Sequence, residues 1–230
     1  MKMTIVNTKE VIQYWQKMRF EDGFTCPTVA LFRLLAYAGF SSKGKRVLEI
    51  GFGADGGANL LEFQKRGAQI MGVDINQSYI DGLHKYHPLI PLQLMNAGTD
   101  EYPFDVNFDL IFHANVIYYL TDEEIEFHFE RSYANLTEGG YLCFQFIEND
   151  LTMDIQKTHQ NLNQINFDLF KNASTDKIFR GETNPLRVLD INWLLSKLSK
   201  FKLIATKTNI ESYTNDESIF RIDRYLLLRK

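Results

Sequence analysis

Between Arg46 and Ile147 short apolar runs alternate with segments of helical period, and few folds accommodate that alternation. The order is strand "RVLEIG", helix "NLLEFQKRG", strand "QIMGVD", helix "SYIDGLHKY", strands "LQLM" and "FDLIF", helix "DEEIEFHFERSYANL" and strand "YLCFQFI". Strands joined through helices run parallel, because each helix returns the chain to the end of the sheet from which it left. A parallel sheet is then covered on both faces, giving a three-layer α/β/α sandwich. Residues 8–19 and 28–38 read as two further helices ahead of the sheet, the second opened by Pro27 and striped with Val29, Phe32 and Leu35. Thr121 and Glu124 have the spacing of a capping box at the start of the acidic helix, whose Glu123, Glu126 and Glu130 read as a solvated face. Beyond a polar stretch over 150–185, "DINWLLSKLSKF" resumes as a helix. The last two runs, "KLIATKTNI" and "SIFRIDRYLLLRK", joined by "TNDE", read as an antiparallel hairpin.

The 230 residues, 45% of them hydrophobic, suffice for one core, so 1–230 is expected to be a single domain. A net charge of -4 and a pI near 5.8 offer no broad basic field for a phosphate backbone, which argues against a nucleic-acid partner. Cys26 and Cys143 are not spaced as a metal pair, and Cys143, inside an apolar run, reads as a buried inert thiol. The histidines form no cluster that predicts a metal. No apolar stretch reads as a signal or a membrane span, so the expectation is a cytoplasmic protein.

The first strand runs into "EIGFGADGG", with glycines at 51, 53, 56 and 57. Four glycines so close together lose too much conformational entropy for an ordinary connection, so a ligand against the backbone is expected. Gly51, Gly53 and Gly56 fit GxGxxG, and Asp74 ends the following strand where a dinucleotide enzyme places its ribose-binding acid. A nicotinamide-type oxidoreductase is therefore one reading of the loop.

Wider context favours another. Glu49 before the loop, then "GVDIN" at 72–76, "YPFDVNFDLIF" at 102–112, "NVIYYLTDEE" at 115–124 and "NLTEGGYLCF" at 135–144 occur in an order that resembles class I S-adenosylmethionine-dependent methyltransferases. The resemblance covers about residues 45–148. It departs from that family's usual E/DxGxGxG loop, because Asp55 stands in the third glycine's place and "AD" reads as an insertion, leaving Gly56 and Gly57 as alternatives for that glycine.

The resemblance implies a seven-stranded, mostly parallel sheet of order 3-2-1-4-5-7-6 with the last strand antiparallel. It implies an N-terminal helical cover over 1–44, a cofactor core over 45–148, a lid or acceptor insertion over 150–185, and a last helix and hairpin over 186–230. The cofactor it implies is S-adenosyl-L-methionine and the partner a small-molecule acceptor, methylated on O, N or S. Gly51, Phe52 and Gly53 would approach the cofactor's methionine arm and ribose, and Glu49 its ammonium. Asp74 would accept the ribose hydroxyls and Ile75 pack on the adenine, with Asn96 and Ala97 at its edge. "YWQKMR" resembles the cover helix, with Tyr14 and Arg19 on the methionine portion. His113 and Asn115 follow the fourth strand at the carboxyl edge, where open sheets bind ligands. With Tyr118 and Tyr119 they are the candidates around the reacting methyl, His113 as general base if the acceptor is a hydroxyl. Phe167, Phe170 and Phe179 are candidates for the acceptor pocket. From a different class of function, a non-catalytic binder of the same cofactor would satisfy the same motifs.

Overall fold

The computed structural model describes residues 12–13, 16, 26–53, 56–148, 189–212 and 220–230. Helix α1 (Val29–Tyr37) leads into β1 (Arg46–Ile50), α2 (Ala58–Lys65), β2 (Gln69–Asp74), α3 (Gln77–Tyr86), β3 (Leu92–Leu94) and β4 (Phe108–His113). A single 3-10 turn, Ile117–Tyr119, precedes α4 (Asp122–Asn135). The chain then forms β5 (Leu136–Ile147), α5 (Ile191–Lys197), β6 (Lys202–Ser212) and β7 (Phe220–Arg229). The strands make one seven-stranded sheet of order β3-β2-β1-β4-β5-β7-β6, as the resemblance implies. Strands β1 to β5 pair in parallel, while β7 runs antiparallel to both β5 and β6.

Alternation along the strands separates two cores. Val47, Ile70, Leu110 and Phe112 face α1, α2 and α3, whose Leu31, Leu60, Phe63, Tyr79 and Leu83 are all buried against them. Leu48, Val73, Ile111, Phe144 and Phe146 face α4 and α5, meeting Ile125, Phe129 and Leu194. Each such side chain fully withdrawn from water contributes about 1.5–3 kcal/mol, so both faces of the sheet are firmly covered.

The helix starts carry their own signals. Thr121 accepts from the Glu124 N–H while Glu124 accepts from the Thr121 N–H, the expected capping box. Asn76 caps α3 and Asp190 caps α5, each accepting from a backbone N–H of its first turn. The acidic face of α4 is solvated as expected, with Glu123, Glu126 and Glu130 all exposed, and Glu126 and Glu130 also reach Lys197 and Lys200 at 2.5 and 3.8 Å, surface pairs at the α5 end. Strand β5 begins earlier than its apolar run suggests, directly after α4, and its register with β4 shifts between Phe108 and Leu110. In "NLTEGG" Gly139 is left-handed at φ +75°, and a side chain at Gly140 would meet the Thr137 carbonyl at 2.9 Å and the Phe108 carbonyl at 3.1 Å, so each position requires glycine for its own reason. The "TNDE" turn and most of the helix expected over 8–19 lie outside the described residues; Ile12, Gln13 and Gln16 are helical.

Candidate functional site

The chain leaves β1 at Ile50 and turns at once. Gly51 holds φ +69° and donates its N–H to the Val73 carbonyl at 2.7 Å, fastening the loop to β2. A Cβ there would lie 2.6 Å from Val116 Cγ2. The turn after β4 therefore packs directly on the glycine loop, and the room at Gly51 is filled by the protein itself, whereas the sequence pointed to a ligand. Gly57, also left-handed at φ +67°, caps α2, and a Cβ on it would lie 2.8 Å from Leu83 of α3. Gly56 is left-handed too, at φ +68°, so backbone conformation does not separate the two alternatives for the third glycine. Phe52 turns its side chain into the core, 2% exposed, so any ligand contact it makes is through its backbone.

Two carboxylates flank this loop, both withdrawn from water: Glu49 is 2% exposed and Asp74 5%. Asp74 Oδ2 accepts from the Gly53 N–H and Oδ1 from the Asn76 N–H, both at 2.9 Å. This acid at the end of β2 therefore shapes the loop and the start of α3. A carboxylate offers about four acceptor sites, so holding the loop and accepting a diol are compatible. Glu49 Oε1 accepts from Asn59 Nδ2 at 2.9 Å, and Asn59 Oδ1 in turn accepts from the Thr28 N–H at 2.7 Å.

Beside Asp74 lies a cavity of about 380 Å³. Ile75 and Leu94 form its apolar walls, Asn76, Ser78 and Asp81 come from the first turns of α3, and Gln16 from the N-terminal segment. Leu94 is 53% exposed, an apolar surface such as a flat ring covers. Asn96 shapes its own loop, its Oδ1 accepting from the Gly98 N–H at 3.0 Å and its N–H donating to Asp100 at 2.8 Å. Gly98 packs on Glu124 of α4, where a Cβ would come within 2.8 Å of the side chain. Ala97 is buried.

The carboxyl end of β4 corrects the reading of His113. Alternation turns its side chain away from the α2 face, into the layer beneath α4, where it is 2% exposed. Its ring stacks on Phe144, with centroids 5.3 Å apart, and meets His128 edge-on at 4.9 Å. Neither ring nitrogen finds a hydrogen-bond partner among the described residues. Burial, reinforced by the neighbouring His128, holds its pKa well below the ordinary imidazole value. A base must reach the proton it removes, and an imidazole enclosed by aromatic rings does not, so the general-base role is not supported. His128 of α4 is fully buried, and burial pushes its pKa down to about 4.

Asn115 keeps its place at the edge. It is exposed and adopts φ +59°, the single non-glycine residue with positive φ among the described residues. Asn tolerates that conformation best, and two bonds hold it there. Its N–H donates to Gln145 Oε1 at 2.8 Å, and its Oδ1 accepts from the Tyr118 hydroxyl at 2.7 Å. Gln145 donates onward to buried Asp223 of β7. Tyr118 and Tyr119 are themselves buried, at 2% and 6%, with rings 4.7 Å apart, and they support the turn. Tyr14, Arg19, Phe167, Phe170 and Phe179 lie outside the described residues. Cys143 is buried, and burial pushes its thiol pKa up, consistent with an inert core group. Among the described residues no group of side chains is arranged to hold a metal ion, and no helix is long and apolar enough to cross a membrane.

The sequence reading overlooked Asn59, Val116 and Gln145. Asn59 had one available signal: a polar amide in the first turn of α2, where the apolar stripe would otherwise continue. The other two become visible only when strands β1, β4 and β5 are laid side by side.

These features fit a ligand with a cationic head, a vicinal diol and a flat base: one buried carboxylate at the loop's start, another beside the cavity, and apolar walls within it. A dinucleotide enzyme of the usual doubly wound kind carries a sheet of order 3-2-1-4-5-6, which the reversed β7 between β5 and β6 excludes here. Residues 47–140 match the family profile of the methyltransferase domain. A fatty-acid O-methyltransferase of Mycolicibacterium smegmatis is 37% identical over 70 residues, which are 30% of this chain and 26% of that protein. A phthiotriol/phenolphthiotriol dimycocerosates methyltransferase of Mycobacterium tuberculosis is 32% identical over 106 residues, 44% of this chain and 37% of that protein. The matched stretch therefore spans between about a quarter and two-fifths of the curated relatives' length. Among solved structures, the S-adenosylmethionine-bound magnesium protoporphyrin IX methyltransferase of Synechocystis superposes over 100% of both chains with a TM-score of 0.64, at 10% identity. A methyltransferase from Methanosarcina mazei covers 85% of this chain and 96% of its own, also with a TM-score of 0.64, at 14% identity. At such identities what is shared is the fold.

Proposed function

We propose that this chain, a class I S-adenosylmethionine-dependent methyltransferase by its matched domain and its seven-stranded sheet, transfers a methyl group to a small-molecule acceptor. The observation that carries the reading is the pair of buried carboxylates, Glu49 and Asp74, at the ends of adjacent parallel strands and joined to one glycine loop. When bound, S-adenosylmethionine supplies an electrophilic methyl on a sulfonium. Glu49 would hold the ammonium of the amino-acid arm, Asp74 would accept the ribose hydroxyls, and Ile75 and Leu94 would cover the adenine, with Asn96 and Ala97 at its edge. Asn115, fixed by Gln145 and Tyr118, marks the side from which the acceptor approaches. With His113 enclosed, the protein's contribution would be positioning: residues fixed at the sheet edge, such as Asn115, would reduce the entropy lost when acceptor and cofactor are brought together.

The acceptor stays at the level of a small molecule. Because one relative is by name a fatty-acid O-methyltransferase, a fatty acid is the first acceptor to assay. The protein is taken to work in the cytoplasm as one domain. Calorimetric titration with S-adenosylmethionine, S-adenosylhomocysteine and NAD tests the reading, followed by transfer of labelled methyl across acceptor panels. Binding of the first two and transfer to some acceptor are expected. Preference for NAD would end the reading, and tight binding with no transfer to any acceptor would favour a non-catalytic binder.

A further inference from the structure

We propose that Asn59 is a positioning residue for the cofactor's ammonium group, acting through Glu49; the proposal rests on the cofactor reading above. Asn59 is the second residue of α2, after the glycine cap at Gly57. Side chains on a helix lean toward its N-terminus, so a polar group placed there is aimed back at the strand end that the chain has just left. It is 7% exposed, and both ends of its amide are engaged. Its Oδ1 accepts from the Thr28 N–H at 2.7 Å and its Nδ2 donates to Glu49 Oε1 at 2.9 Å.

The chemistry fixes the amide's orientation. A backbone N–H can only donate, so the atom facing Thr28 is the oxygen, and the NH₂ is left for the carboxylate. An aspartate in its place would set one carboxylate against another, and an aliphatic residue would leave Glu49 without this donor. A buried carboxylate restrained by a charge-assisted hydrogen bond keeps one rotamer, and a group that must meet a cation is most effective when it is already in place. Thr28 adds a further link, because the residue that orients Glu49 also anchors the segment entering α1. One buried amide thus couples the end of β1, the start of α2 and the N-terminal approach to the sheet.

Two ligands separate this role from a merely structural one. S-Adenosylhomocysteine carries the ammonium, whereas 5′-methylthioadenosine keeps the adenosine and sulfur and lacks the amino-acid arm. Binding of both to the wild type, Asn59→Leu, Glu49→Gln and the double variant is measured by calorimetry. Asn59→Leu is expected to weaken S-adenosylhomocysteine about tenfold or more while changing 5′-methylthioadenosine less than threefold. Adding Glu49→Gln to it should weaken S-adenosylhomocysteine by no more than about threefold further, since the two residues act in series. Should Asn59→Leu fail to fold, Asn59→Ala removes the same two hydrogen bonds without adding bulk and with a good helix former, and a loss of the same selectivity is expected. Equal weakening of both ligands, or unchanged S-adenosylhomocysteine binding, would overturn the assignment to Asn59 and leave the cofactor reading intact. No binding of either ligand by the wild type would overturn that reading, and this proposal with it.

Discussion

The carboxyl ends of β2 and β4 look alike in sequence, each closing an apolar run with one polar side chain, yet the fold treats them in opposite ways. Asp74 lies on the α2 face, where its oxygens hold Gly53 and Asn76 and the glycine loop comes within reach. His113 falls on the other face and disappears between Phe144 and His128. A residue at a sheet's carboxyl edge is therefore available for chemistry only if alternation also turns it to the face where the loop opens.

That contrast is breakable at several points. The largest effect is expected where the glycine loop after β1 meets the turn after β4. Gly51→Val would add a side chain 2.6 Å from Val116 at a φ that β-branched residues avoid, so loss of cofactor binding and of most folded protein at 37 °C is expected, read by calorimetry and thermal melting. A folded variant with normal affinity would break the link between loop and β4 turn.

Next in size is the acid sensitivity of the β4 side. Burial holds His113 below its ordinary pKa and His128 down at about 4. The unfolded chain takes up protons on these rings from about pH 6.5 downward and the folded chain does not. Their contribution is therefore complete above pH 6.5 and lost as pH falls toward 4, by about 3 kcal/mol for His128 alone. Urea midpoints at pH 7 and 4.5 measure it. The double change His113→Phe, His128→Leu should flatten the slope; an unchanged slope would place the sensitivity elsewhere.

On the β2 side, Asp74→Ala removes an acceptor from two backbone amides. A loss of about 2 kcal/mol in stability is expected together with at least about tenfold weaker S-adenosylmethionine binding. Lower stability with unchanged affinity would reduce Asp74 to a brace for the loop. The smallest effect is expected for His113→Phe on turnover, within about threefold once an acceptor is known. A hundredfold loss with intact cofactor affinity would reinstate it as the base.

What the sequence determined by itself was whatever short-range chemistry dictates. Apolar periods of two and 3.6 residues set the order of strands and helices, the Thr121–Glu124 spacing made its capping box, and the glycines with Glu49 and Asp74 marked the loop. The sheet order followed from the resemblance, and the reversed β7 then decided between methyltransferase and dinucleotide readings. Tertiary structure alone decided which face each strand-end side chain meets and what fills the room a glycine leaves. His113 was read as a candidate base because its position was right, but position along a strand carries no record of the layer packed against it. Asn59 escaped because its partners, Thr28 and Glu49, are brought to it by the turn from β1 into α2 and the approach to α1. Hydrogen bonds and van der Waals contacts act over a few ångströms, so their partners are fixed only when the layers close.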